Sequence, residues 1–190
     1  MSTGQLVRVA CRVRLPEGGS QDDSCVRILS GSSVQVLPDA GASASETCKA
    51  DFVYGPDAGQ ADIYGRLVEP LVDQFVRESK TVALVAFGAS GSGKTHSLIG
   101  GKGRNAGALP RVVNAIFEGL AEKSQSAGEQ TTIHHIEATH CELVGENIRD
   151  LFAADPDRTV RAASGHLNSS RLSYPDRNCP TIANYDARMS

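Results

Sequence analysis

The residues best suited to chemistry crowd into the stretch 81–101, TVALVAFGASGSGKTHSLIGG. Gly88, Gly93, Lys94 and Thr95 follow the G-x-x-x-x-G-K-[ST] spacing, with Ala89, Ser90, Gly91 and Ser92 between them. Each residue type has a reason to be there. Glycines reach φ > 0 and let backbone N–H groups approach phosphate oxygens closely. The lysine sets a point charge against the β- and γ-phosphates, the threonine hydroxyl ligates Mg²⁺, and a helix opening at this point turns its positive end toward the anion. The spacing therefore predicts a phosphate site at residues 88–95, with Mg²⁺ on Thr95. A glycine-serine loop with a surface lysine can match the bare spacing, so the neighbouring elements must decide.

Those elements favour phosphate. Residues 82–87 are six consecutive apolar residues with β-branched Val82 and Val85, the pattern of a strand buried on both faces of a parallel sheet. After Thr95 a helix can last only one or two turns before Gly100, Gly101 and Gly103 stop it. A second helix is expected from Leu109, with Val112, Val113, Ile116, Phe117 and Leu120 on one face. Upstream, 61–79 reads as an amphipathic helix carrying Tyr64, Leu67, Val68, Leu71, Val72, Phe75 and Val76, with Pro70 expected to kink it or delay its start.

GASGSGKTH followed by GALPRVVNAIF resembles the nucleotide loop and split helix of the kinesin motor domain. VRVACRVR at 7–14 resembles that family's first strand, and Phe52 with Gln60, Ile63 and Tyr64 resembles its F-x-x-V-F…Q-x-x-V-Y segment. Cys141, Glu142 and residues 146–151 resemble its E-x-Y-x-E-x-I-x-D-L segment, so the likeness covers residues 6 to about 152, the first half of such a motor. The resemblance implies an α/β fold of the P-loop NTPase type, a mostly parallel sheet flanked by helices, here as a truncated kinesin motor fold. It also implies ATP and Mg²⁺ as ligands, microtubules as partner and a cytoplasmic, cytoskeletal location. By the same resemblance Arg12 and Arg14 correspond to the R-x-R-P arginines beside the base, with His96 next to them; Pro16 stands one residue later than in the family pattern.

Composition limits the alternatives. A chain of 190 residues with 40% hydrophobic content suits one globular domain. A net charge of −3 without a basic cluster argues against nucleic acid and anionic membrane, and no apolar run approaches the roughly 20 residues needed to span a bilayer. Five scattered cysteines without a C-x-x-C pair suggest reduced thiols in the cytosol. His134, His135, His140 and Cys141 alternate between strand faces, so an ordinary strand is expected there and no metal site. No N-K-x-D motif supports a GTPase.

Elsewhere the patterns predict a first strand over 5–13, a peripheral hairpin from 25–29 and 33–37, and a loop over 39–46. A strand at 51–54, a polar loop over 121–130, a strand over 131–143 and a short helical turn over 146–152 complete the motor-like part, 1–154. Residues 155–190 read as an unstructured tail. Within it, NSSR at 168–171 resembles the family's N-x-x-S-S-R-S-H switch loop but lacks the Ser-His ending, and the D-L-A-G-S-E of the second switch is absent. The expectation is an ATP-binding, kinesin-like module that lacks both switch loops, has no catalytic residues of its own and hydrolyses ATP poorly or not at all. The alternative is a non-motor ATP-binding or interaction module derived from the same fold.

Overall fold

The computed structural model describes residues 7–15, 18–19, 24–38, 45–126, 136–145, 147–152, 159–160, 162–163, 166–167 and 172–174. They belong to two compact units, Met1–Ala121 and Glu122–Ser190, so the expected boundary at 154 falls inside the second.

The first unit opens with β1 (Ala10–Arg12), shorter than the strand expected over 5–13. The peripheral hairpin forms as β2 (Val26–Ser30) and β3 (Ser33–Val36), and β4 (Glu46–Lys49) adds a third antiparallel strand. Then β5 (Phe52–Tyr54) returns to pair in parallel with β1, Cys11 opposite Val53.

A nearly continuous helical run follows: α1 (Gln60–Ile63), a π-helical turn Tyr64–Val68, and α2 (Glu69–Glu78). Pro70 explains the wide turn. Its nitrogen carries no hydrogen, so the carbonyl four residues earlier cannot be satisfied in the α register. The run loosens there, and the Glu69 N–H donates to the Tyr64 carbonyl, five residues back.

Helix α3 (Lys94–Leu98) is as short as the glycines require, and a 3₁₀ turn at Gly103–Asn105 leads to α4 (Ala108–Ser126). That helix continues through part of the polar loop expected from 121. Val68, Val72 and Val76 on the upstream run and Ala108 on α4 form the buried core, with Tyr64, Leu67, Val112, Ala115 and Ile116 packed around them. The approach is close enough that a Cβ at Gly119 would lie 2.8 Å from Val76 Cγ1.

One expected element is absent. Residues 82–87 are not a strand: none of the backbone groups of 81–87 makes a hydrogen bond to any described residue, and Val85 and Phe87 are 82% and 99% exposed. Apolar composition favours burial in a parallel sheet, but such a strand exists only when neighbours complete its slanted ladder.

In the second unit, β6 (Ile136–Ala138) and β7 (Cys141–Val144) divide the strand expected over 131–143. The helical turn expected over 146–152 is instead β8 (Asn147–Asp150), antiparallel both to β7 and to β9 (Thr159–Val160). Gly145, at φ 61, makes the turn between β7 and β8. Beyond it, β10 (Ala162–Ala163) pairs with β11 (His166–Leu167), and β12 (Leu172–Tyr174) pairs with β6. Four short strands therefore lie within the stretch expected to be an unstructured tail. His134, His135 and 168–171 lie outside the described residues.

Candidate nucleotide site

The loop at 88–95 curls as its glycines allow. Gly88, Gly91 and Gly93 take φ of 154, 75 and 97, and Gly93 opens α3 from a left-handed conformation. A Cβ at Gly88 would lie 2.6 Å from Ser92 Oγ, which rotation of the serine could relieve, so the demand for glycine there comes from the backbone angle. The Ser92 N–H donates to the Ala89 carbonyl at 3.2 Å, closing the turn across Ser90 and Gly91.

Lys94 lies along the inside of this curl. Its Nζ donates to the carbonyls of Gly88 (2.9 Å) and Ala89 (2.8 Å), so the ammonium sits among the loop's own backbone atoms. Thr95 is exposed, and its hydroxyl makes no hydrogen bond to a described residue. A divalent cation beside a phosphate could therefore take this oxygen without displacing another contact. Mg²⁺ usually accepts only one or two protein oxygens and draws the rest from phosphate and water, which a lone threonine hydroxyl fits.

Arg12 and Arg14 arrive from the end of β1. Arg14 Nη1 donates to the Gly91 carbonyl at 2.7 Å, tying its guanidinium to the loop tip. Arg12 points behind the loop: Nη1 donates to Ser97 Oγ at 2.9 Å and to Gln60 Oε1 at 3.1 Å, and Nη2 reaches the Ala58 carbonyl at 3.5 Å. Burial lowers the Arg12 pKa from its ordinary value, but the guanidinium keeps its charge and answers burial with hydrogen bonds. Arg12, Arg14, Ser92, Gly93 and His96 together line a cleft of about 300 Å³ beside the loop. His96 is exposed at its rim.

All eleven residues singled out from the sequence thus gather within one unit, nine in the loop and the start of α3 and two at the end of β1. Sequence reasoning missed Ser97 and the Ala58 carbonyl, and it named Gln60 only as part of a resembling segment. A serine one turn into a helix and a backbone carbonyl carry no type signal. The arrangement offers inward-curling backbone, a cation in the curl, an unengaged hydroxyl at the helix start and a basic cleft alongside. Parts of this kind can hold the phosphates of a ligand.

Comparison with known proteins gives the family and the fold. A family model described as the kinesin motor domain matches residues 12–174, past the end of the resemblance read from the sequence. The chain is 34% identical to the kinesin-like protein KIN-5B of Oryza sativa subsp. japonica over 144 residues, covering 69% of this chain and 13% of the relative. It is 28% identical to the kinesin-like protein KIF22 of Danio rerio over 153 residues, covering 77% of this chain and 23% of the relative. Among solved structures, a fast kinesin superposes with a TM-score of 0.72 at 21% identity, covering 96% of this chain and 51% of the other. The Drosophila family member Kin10/NOD, solved with divalent manganese and ADP, gives 0.71 at 22% identity, covering 96% of this chain and 58% of the other. The chain therefore spans about half of the solved motors and a smaller share of the curated relatives.

Proposed function

Since the chain belongs to the kinesin motor-domain family, we propose that it binds Mg-ATP and Mg-ADP through Gly88, Ala89, Ser90, Gly91, Ser92, Gly93, Lys94 and Thr95. The observation that carries this reading is the curl of the loop around the Lys94 ammonium, with Gly88, Gly91 and Gly93 all at positive φ. On binding, phosphate oxygens replace the carbonyls of Gly88 and Ala89 as partners of Nζ, and Thr95 supplies the protein oxygen to Mg²⁺. A metal held there would neutralise part of the phosphate charge. Arg12, Arg14 and His96 line the cleft that takes the base. The family makes microtubules the proposed partner and the cytoplasmic microtubule cytoskeleton the proposed location. A family neighbour, Drosophila NOD, has been docked with bovine tubulin into a map of a microtubule complex. Among the described residues no helix is long and apolar enough to cross a membrane.

Turnover is a separate matter. Phosphoryl transfer needs a positioned water and charge stabilisation that grows toward the transition state. A phosphate loop holds ground and transition states about equally, which adds affinity without rate. These 190 residues contain no D-L-A-G-S-E, and NSSR at 168–171 lacks the Ser-His ending of the other switch. The proposal is therefore nucleotide binding without microtubule-stimulated hydrolysis. A fluorescent ADP analogue titrated with Mg²⁺ and with EDTA tests the first half, and steady-state hydrolysis with and without polymerised tubulin tests the second. Magnesium-dependent binding with flat turnover is expected. Stimulation by tubulin that disappears in Lys94→Ala would contradict it.

A further inference from the structure

The geometry points to Gln60 as a positioning residue for the nucleotide loop: its side-chain amide joins Arg12 of β1 to the backbone of α3, so that the cleft wall and the loop's helix are held as one piece. This rests on the reading of residues 88–95 as a phosphate-binding loop.

Gln60 is polar and yet only 7% exposed, a burial that is costly unless both ends of the amide are paired. Both are. Oε1 accepts from Arg12 Nη1 at 3.1 Å, and Nε2 donates to the His96 carbonyl at 2.7 Å. The partners fix which way the amide faces, because a guanidinium can only donate and a carbonyl can only accept. No residue that is purely an acceptor or purely a donor could serve both.

The His96 carbonyl needs this partner. In a continuing α-helix it would accept from the N–H of Gly100, four residues on. Here Gly100, at φ 70, donates to the Thr95 carbonyl instead, at 3.2 Å, as does Ile99 at 2.8 Å. The end of α3 therefore leaves the His96 oxygen unsatisfied within the helix, and Gln60 caps it from outside. A helix of five residues cannot hold itself in water, so these external ties decide its orientation. The second tie is Arg12 Nη1 to Ser97 Oγ at 2.9 Å, made by the same guanidinium that Gln60 anchors. Lys94 and Thr95 lie on the first turn of that helix. Gln60 thus acts on the loop without touching a ligand.

The test compares Gln60→Met, which loses both contacts, with Gln60→Glu, which keeps an acceptor for Arg12 and loses the donor to His96. Hydrogen exchange is measured in the nucleotide-free chain, and affinity for a fluorescent ADP analogue with Mg²⁺ is measured alongside. Val72→Ala, in the buried core and outside the hydrogen bonds of Gln60 and Arg12, serves as a destabilised control. Both Gln60 variants should exchange the amides of Ile99 and Gly100 about fivefold to tenfold faster, as expected for the loss of one buried hydrogen bond. ADP should bind correspondingly more weakly, and Gln60→Met should be the more affected. Val72→Ala should lower the melting temperature and leave both readouts near wild type. Unchanged exchange at Ile99 and Gly100 in Gln60→Glu, or an equal rise in Val72→Ala, would overturn the inference. A wild-type chain that binds no nucleotide would sink the phosphate-loop reading instead, and the exchange comparison would still decide the role of Gln60.

Discussion

At the scale of single residues, a buried polar group is informative only together with its partners. Gln60 and Tyr54 are both buried, but Gln60 has both ends paired, whereas the Tyr54 hydroxyl has no hydrogen-bond partner among the described residues. An unpaired buried hydroxyl costs free energy, so Tyr54→Phe should stabilise the chain by up to about 1 kcal/mol in urea unfolding. A loss of that size would show that the hydroxyl is bonded after all. The titration adds a signature. Burial raises the Tyr54 pKa above its ordinary 10.0, favouring the neutral phenol in the folded chain. Stability from this group is complete below pH 10 and falls as the pH rises toward the folded value, because the unfolded tyrosine ionises first. Tyr54→Phe should flatten that alkaline decline. The loop residues were legible in the sequence because Gly-Lys-Thr has fixed spacing and each type has its own task. Gln60 was not, because its role depends on which carbonyl α3 leaves unsatisfied, and only the fold shows that.

At the scale of elements, helices were read more reliably than strands. The 61–79 helix and the break at Pro70 follow from periodicity and a missing N–H, both local properties. A strand depends on its neighbours. Residues 82–87 have the composition of a buried strand but no ladder, whereas Asn147–Asp150 could be read as a helical turn and became a strand between β7 and β9. Four residues are too few to separate period 2 from period 3.6. Where the chain turns from α3 to α4, backbone segments meet directly. A Cβ at Gly107 would fall 2.6 Å from the Leu98 backbone and 2.7 Å from that of Ile99, beside the bond from the Gly107 N–H to the Ile99 carbonyl at 2.8 Å. Neither side can yield as a flexible side chain would. Gly107→Ala should therefore cost about 2 kcal/mol or more in thermal or urea unfolding. A neutral outcome would mean that the turn has room the structure does not show.

At the scale of the whole molecule, the fold likeness to kinesin motors covers 96% of the chain, and the unpaired segment before the loop is the exception. Val85 and Phe87 expose apolar surface on a backbone that makes no hydrogen bonds among the described residues, which favours association with other chains. Sedimentation of the isolated 190 residues should show self-association that grows with concentration. A monodisperse monomer with one sharp, cooperative melt would contradict that. The proposed nucleotide binding needs less of the fold, because the curl of 88–95 depends on its own glycines, on Lys94 and on the tie from Arg14, and Gln60 holds the helix that follows. The most direct test of the account is calorimetric titration of Mg-ADP into the wild-type chain and into Lys94→Ala. Removing the ammonium takes away a charge-assisted contact to phosphate, and affinity should fall at least about tenfold. Equal heats and equal affinity in the two proteins would contradict the assignment of residues 88–95 as the site.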